Sequence, residues 1–159
     1  MLIIFHITRA IKSTGWEVIL ALLIANVLAQ LIKIILYSIK KKKFNTTLIF
    51  ATGGMPSSHS STVTAMATTV GLIMGWSSVI FAVAACFAGV VMFDAAGVRR
   101  NAGKQAKVLN EMIQALVTKG QIIQVEKLKE FLGHSPVEVL AGAALGMAIS
   151  FGLHYFLRM

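Results

Sequence analysis

The run WEVILALLIANVLAQLIKIILYSI, Trp16 to Ile39, is predominantly apolar and has Trp16 and Tyr37 near its two ends. About 20 such residues make a helix that crosses roughly 30 Å of hydrocarbon, and amphipathic rings favour the interfaces on either side. The stretch therefore predicts a membrane span, and further spans follow along the chain. One runs from about Ser61 to Trp76, with an earlier start near His59 if it is to reach full length. Another follows a Trp76-Ser77-Ser78 turn and continues to about Ala96. The last runs from Pro136 to Phe156 and opens with Ser135-Pro136-Val137-Glu138. There Ser can cap the helix, Pro suits its first turn, and Glu can reach back in a capping box. Leu48 to Ala51 is apolar but too brief to cross, and Gly53-Gly54 interrupts it, so a short re-entrant segment is expected. Between the last two spans, Val108, Met112 and Leu116, with Val98, Ala102 and Leu109, recur at helical spacing. That stretch reads as an amphipathic helix at the membrane surface.

Composition agrees with this reading. Of 159 residues, 57% are apolar and 13% charged, against roughly 25% charged in a soluble domain. This balance excludes a water-soluble globule, and it is the reverse of what disorder requires. The length suits a single domain over residues 1–159. The expectation is an all-α integral membrane bundle of about four transmembrane helices with one surface helix. Cys86 is the sole cysteine and lies in an apolar run, so neither a disulfide nor a cysteine metal site can be built. Met1 to Arg9 is followed by no small-residue cleavage site, so no cleaved signal peptide is expected.

The net charge of +9 is first a topology signal in such a chain, and nucleic acid is the weaker reading. Lys40 to Lys43 and the seven cations from Arg99 to Lys129 fall on one face, against Arg9, Lys12 and Arg158 on the other. The excess predicts that the first group is cytoplasmic. Three polar clusters lie at span ends on that same face and can therefore meet. Gly53-Gly54-Met55-Pro56-Ser57-Ser58-His59-Ser60 leads into a helix start, where backbone N–H groups, hydroxyls and the helix dipole suit an anion. The same residues also read as an ordinary serine-rich cap. Asp94 to Lys104 sets Arg99, Arg100 and Lys104 beside a carboxylate that is costly there unless paired. Those cations suit either a grip on phosphate oxygens or anchorage to anionic headgroups. The third cluster is Gly133-His134-Ser135-Pro136-Val137-Glu138.

The run from His134 to Gly142 resembles the H-x-P-x-D-V-x-x-G signature of the type-2 phosphatidic acid phosphatase superfamily, with Glu138 in place of Asp. Pro56-Ser57-Ser58-His59 is similar to that superfamily's P-S-G-H motif, with Ser58 in place of Gly. Together with Val98-Arg99-Arg100, these runs resemble its divergent bacterial and plant branch, related to acid phosphatases and vanadium-dependent haloperoxidases. The likeness covers most of the chain from about Lys43 onward.

The resemblance implies metal-free, cofactor-free hydrolysis of a phosphate monoester or diphosphate on a membrane lipid, through a phosphohistidine. His134 would be the nucleophile, Glu138 would hold its tautomer, and His59 would be the general acid and then base. Ser57, Ser58, Arg99, Arg100 and Lys104 would neutralise phosphate oxygens. Two departures stand out. The superfamily's Lys followed seven residues later by Arg-Pro is missing, since no Arg-Pro occurs in this chain, and one phosphate clamp is unassigned. Where an Arg precedes the nucleophile by six residues, this chain has Leu128 between Lys127 and Lys129. The alternative function is therefore a non-catalytic membrane protein that binds anionic lipid or a partner through a degenerate site. His6 and His154 are expected near the opposite face without catalytic roles. Gly71 with Gly75, and Gly142 with Gly146, are spaced for close helix approach, within the chain or across a homodimer seam.

Overall fold

The computed structural model describes residues 10–41, 54–119, 126–130 and 132–159. The secondary structure is all helical, with no strand among the described residues. The helices are α1 (Gly15–Lys41), α2 (Ser58–Met74), α3 (Val79–Phe93), α4 (Arg99–Thr118) and α5 (Pro136–Phe156). The expected re-entrant piece at Leu48 to Ala51, Lys42, Lys43, and His6 with Arg9 lie outside the described residues.

Three stretches, Gly15–Ile39, Val79–Thr118 and Pro136–Phe156, are long and apolar enough to cross a bilayer. At 17 residues, α2 is about 25 Å long, the short end of what can span. Its sequence explains how it differs. It carries Ser58, Ser60, Ser61, Thr64, Thr68 and Thr69 on buried positions, and it is the hub on which α1, α3 and α5 all pack. A helix enclosed by protein can keep hydroxyls that lipid would penalise, provided each finds a partner. Here Asn26 of α1 donates to Thr62 at 3.0 Å, and Ser61 donates to the Ala25 carbonyl at 3.2 Å. Thr64 donates to the Ala143 carbonyl of α5 at 3.2 Å, and Ser150 donates to that of Ala65 at 2.9 Å.

Small residues allow these approaches. Ala21, Ala25 and Ala29 of α1 are fully buried at four-residue spacing. A Cβ added to Gly142 would collide with the Ser57 carbonyl, and one at Gly146 with the Ser61 carbonyl. That pair packs α5 on α2 within the chain, in the manner of small-residue membrane interfaces. Gly75, by contrast, caps α2 at φ +88°, and a Cβ there would meet nothing within 4 Å. The expected turn is present, with Ser78 capping α3 through the Phe81 N–H.

α3 sets Ala84 and Ala88 against α2 and turns Val79, Val83, Phe87 and Val90 outward. It does not stop at the next loop. A single π turn, Asp94–Val98, carries it into α4 with helical backbone angles at both junctions. The combined 40-residue helix is about 60 Å long, twice the hydrocarbon thickness, so α4 has to lie outside it. Residues 126–130, which the sequence places in the same amphipathic stretch, are not helical and run along α4 as a strap. Asn110 holds it, accepting from the Leu128 N–H at 2.9 Å and donating to the Leu128 carbonyl at 2.9 Å.

Candidate active site

The start of α5 is a capping box in which one oxygen has two tasks. Ser135 accepts from the Glu138 N–H at 3.3 Å, and Glu138 Oε2 accepts from the Ser135 N–H at 2.9 Å. The same Oε2 lies 3.3 Å from His134 Nδ1. A carboxylate can only accept, so Nδ1 carries the hydrogen and Nε2 keeps a lone pair. The cap and the orienting contact are therefore one structure, fixed by the spacing of His134, Ser135 and Glu138. The His134 N–H donates to the Ala95 carbonyl of the π turn at 2.9 Å, which ties the loop to the end of α3. Gly133, at φ +82°, packs so closely on the Arg100 backbone that a Cβ would collide there.

His134 is 3% exposed, and its Nε2 is buried with no hydrogen-bond partner. A buried nitrogen left unpaired is costly unless something occupies the space before it. Beside the ring is His59, in the first turn of α2, with ring centroids 6.0 Å apart and planes inclined at 64°. Two histidines 75 residues apart in the sequence thus face each other at one end of the bundle, as the shared-face argument requires. Burial, reinforced by the charge of Lys33, pushes His134 below the ordinary histidine range, against the opposing pull of Glu138.

Lys33 is the residue that sequence reasoning missed. It lies within electrostatic reach of His59, His134 and Glu138, is 4% exposed, and its stem packs against Gly54. Its only signal in the sequence is a lysine inside an apolar span, a placement expensive enough to call for a reason.

The other expected residues distribute unevenly. Arg99 Nε donates to Asp94 Oδ2 at 2.6 Å across the π turn, and both charges act on His59. Arg100 and Lys104 are exposed on α4 and show no hydrogen bond or ion pair to the histidines among the described residues. Ser57 caps α2, its hydroxyl accepting from the Ser60 N–H and hydroxyl at 3.3 and 3.1 Å. Its own N–H donates to the Glu138 carbonyl at 3.0 Å, so the two motif regions are joined through the backbone. Ser58 accepts from Gln30 of α1 at 3.2 Å. Lys127 and Lys129 lie exposed on the strap beside Leu128.

His154 is at the other end of α5, as expected, but it has an acidic partner distant in sequence. Its Nδ1 is 2.6 Å from Glu17 Oε1, at the start of α1, and Arg158 Nη1 is 3.7 Å from the same oxygen. The Ser13 N–H completes the carboxylate's shell at 2.6 Å.

A family model described as "Divergent PAP2 family" matches residues 15–149. The chain is also similar to a Bacillus subtilis (strain 168) protein described as "Uncharacterized membrane protein YuiD", 43% identical over 148 residues, 87% of this chain and 94% of that one. No solved structure matches the chain.

Proposed function

Because the chain belongs to the divergent PAP2 family, we propose that it is a membrane phosphatase that hydrolyses a lipid phosphate monoester or diphosphate with His134 as nucleophile. The observation that carries the reading is the His134 ring itself: tautomer held by Glu138, Nε2 buried and unpartnered, His59 beside it. In the first step Nε2 attacks phosphorus, the bond to the leaving oxygen breaks, and His59 gives that oxygen a proton. In the second, His59 takes a proton from water as the water attacks the phosphohistidine, and the P–N electron pair returns to Nε2. Lys33 and Arg99 neutralise the phosphate oxygens, with Arg100 and Lys104 at the approach and Ser57 and Ser58 shaping the start of α2. Fixed charges in a poorly solvated site are usually the largest contribution to such chemistry. A site at the ends of spanning helices suits a substrate whose tail stays in the bilayer. The positive excess on that face supports a cytoplasmic placement.

A second reading, a binder of anionic lipid with a degenerate site, is favoured by Leu128 and by the exposure of Arg100 and Lys104. The test is phosphate release by purified protein in liposomes across a panel of lipid phosphates, with and without chelator. The catalytic reading expects release that survives chelation and disappears in both His134→Ala and His59→Ala. Folded protein that releases phosphate from no member of the panel would support the binder instead.

A further inference from the structure

We propose that α4 docks on an anionic lipid surface beside its own spans, and that this docking holds the strap that leads to His134. The faces of α4 divide three ways. Leu109, Met112 and Leu116, continued by Val98 of the π turn, form an exposed apolar stripe, 37–60% accessible. Arg100, Lys104 and Lys107 form an exposed basic face opposite, with one acid, Glu111, among them. Gly103, Ala106 and Asn110 are buried, and the strap lies along this third edge.

An apolar stripe backed by cations is the pattern of a helix lying in the plane of a headgroup layer. Two observations commit it to that occupant. The helix is continuous with α3 through the π turn, so it starts where the hydrocarbon ends and cannot move far from the membrane. Its cations, with Lys119, Lys127 and Lys129 nearby, complement an anionic leaflet, where each contributes to attraction near the surface.

The mechanical link to the site runs through the third face. Asn110 bonds the Leu128 N–H and carbonyl and also donates to Glu130 Oε1 at 2.9 Å. A Cβ at Gly103 would collide with the Glu130 carbonyl, so strap and helix move as one body. A few residues on, Gly133 lies on the Arg100 backbone and His134 is bonded to Ala95. Seating α4 on lipid therefore restrains the backbone on which His134 is carried. The consequence for turnover rests on His134 being the nucleophile; docking and ordering of the strap do not.

The experiment uses the full chain in nanodiscs of neutral phosphatidylcholine, or of that lipid mixed with anionic phosphatidylglycerol. Met112→Cys in a Cys86→Ser background carries a polarity-sensitive fluorophore. The expected result is a blue-shifted emission in anionic discs relative to neutral ones, reversed by salt and by Lys107→Gln with Lys119→Gln. Hydrogen exchange over 126–134 should slow several-fold in anionic discs. In Asn110→Ala the emission shift should persist while the slowing is lost. Emission that is the same in both discs would overturn the docking, whether because water, another part of the chain or a second copy meets Met112. An emission shift with unchanged exchange would overturn the link. Neither readout uses phosphate release, so a failed phosphatase assay would leave both results interpretable.

Discussion

Glu138 and Lys33 differ most in how readily the sequence discloses them. The capping box could be read directly, because Ser135 and Glu138 are three apart and Pro136 marks the first turn. Its second task, holding His134, follows from the same box, since a Glu that reaches back to the N–H of the capping residue lies beside the residue before it. Lys33 is 101 residues from His134, and no local pattern relates them. Glu138→Gln should lower kcat by about 10²-fold or more, through loss of the orienting carboxylate. The pH profile gives a separate check. His134 must be neutral to attack, and burial with Lys33 lowers its pKa, so activity persists below pH ~6.5 and falls as acid finally protonates the ring. Removing the Glu138 charge removes the force that raises this pKa, so the acid limb of kcat/KM should move to lower pH. A limb that moves upward would contradict the assignment. Lys33→Met should reduce kcat/KM by about 10²–10³-fold, the scale of one lost charge-stabilising donor, with protein still folded by circular dichroism.

Among the elements, α1, α3 and α5 are legible because lipid demands apolar length, whereas α2 is legible only in part. Its extent is read as about Ser61, or near His59, to Trp76, against Ser58–Met74 in the structure, but the partners of its hydroxyls on α1 and α5 are fixed by packing. The join between α3 and α4 was not legible: Asp94 and Gly97 suggest a break, and a π turn absorbs them without a loop. The strap was also missed, because Asn110 reads as one more polar residue on an amphipathic helix. Tight α2–α5 packing leads to a paired prediction. Gly146→Leu should lower thermal stability in detergent by about 1–3 kcal/mol or prevent folding, because its side chain meets the Ser61 carbonyl and Thr64. Gly89→Ala on α3, where a Cβ has nothing within 4 Å, should be neutral or slightly stabilising. Equal effects at the two positions would contradict the packing described.

Across the whole molecule, polar groups concentrate at the two ends of α5, about 30 Å apart for its 21 residues. One end holds His134, Glu138, His59 and Lys33; the other holds Glu17, His154 and Arg158. The second group closes the bundle by tying the start of α1 to the end of α5. Glu17 is fully buried there, with partners on both oxygens. Glu17→Ala should cost about 3–5 kcal/mol of stability, since it leaves His154 and Arg158 facing a vacated carboxylate site. Activity per folded molecule should be retained, as measured by turnover normalised to the fraction folded. His154 read as inert because its partner is 137 residues away. The central claim is that phosphate passes through His134. The direct measurement is to quench the protein in liposomes during turnover of whichever lipid phosphate it cleaves, and to map phosphorylated peptides under alkaline conditions that preserve phosphohistidine. The expected result is a phosphoryl group on the peptide containing His134, acid-labile and absent from His134→Ala. Turnover with no such adduct, or turnover that persists in His134→Ala, would contradict it.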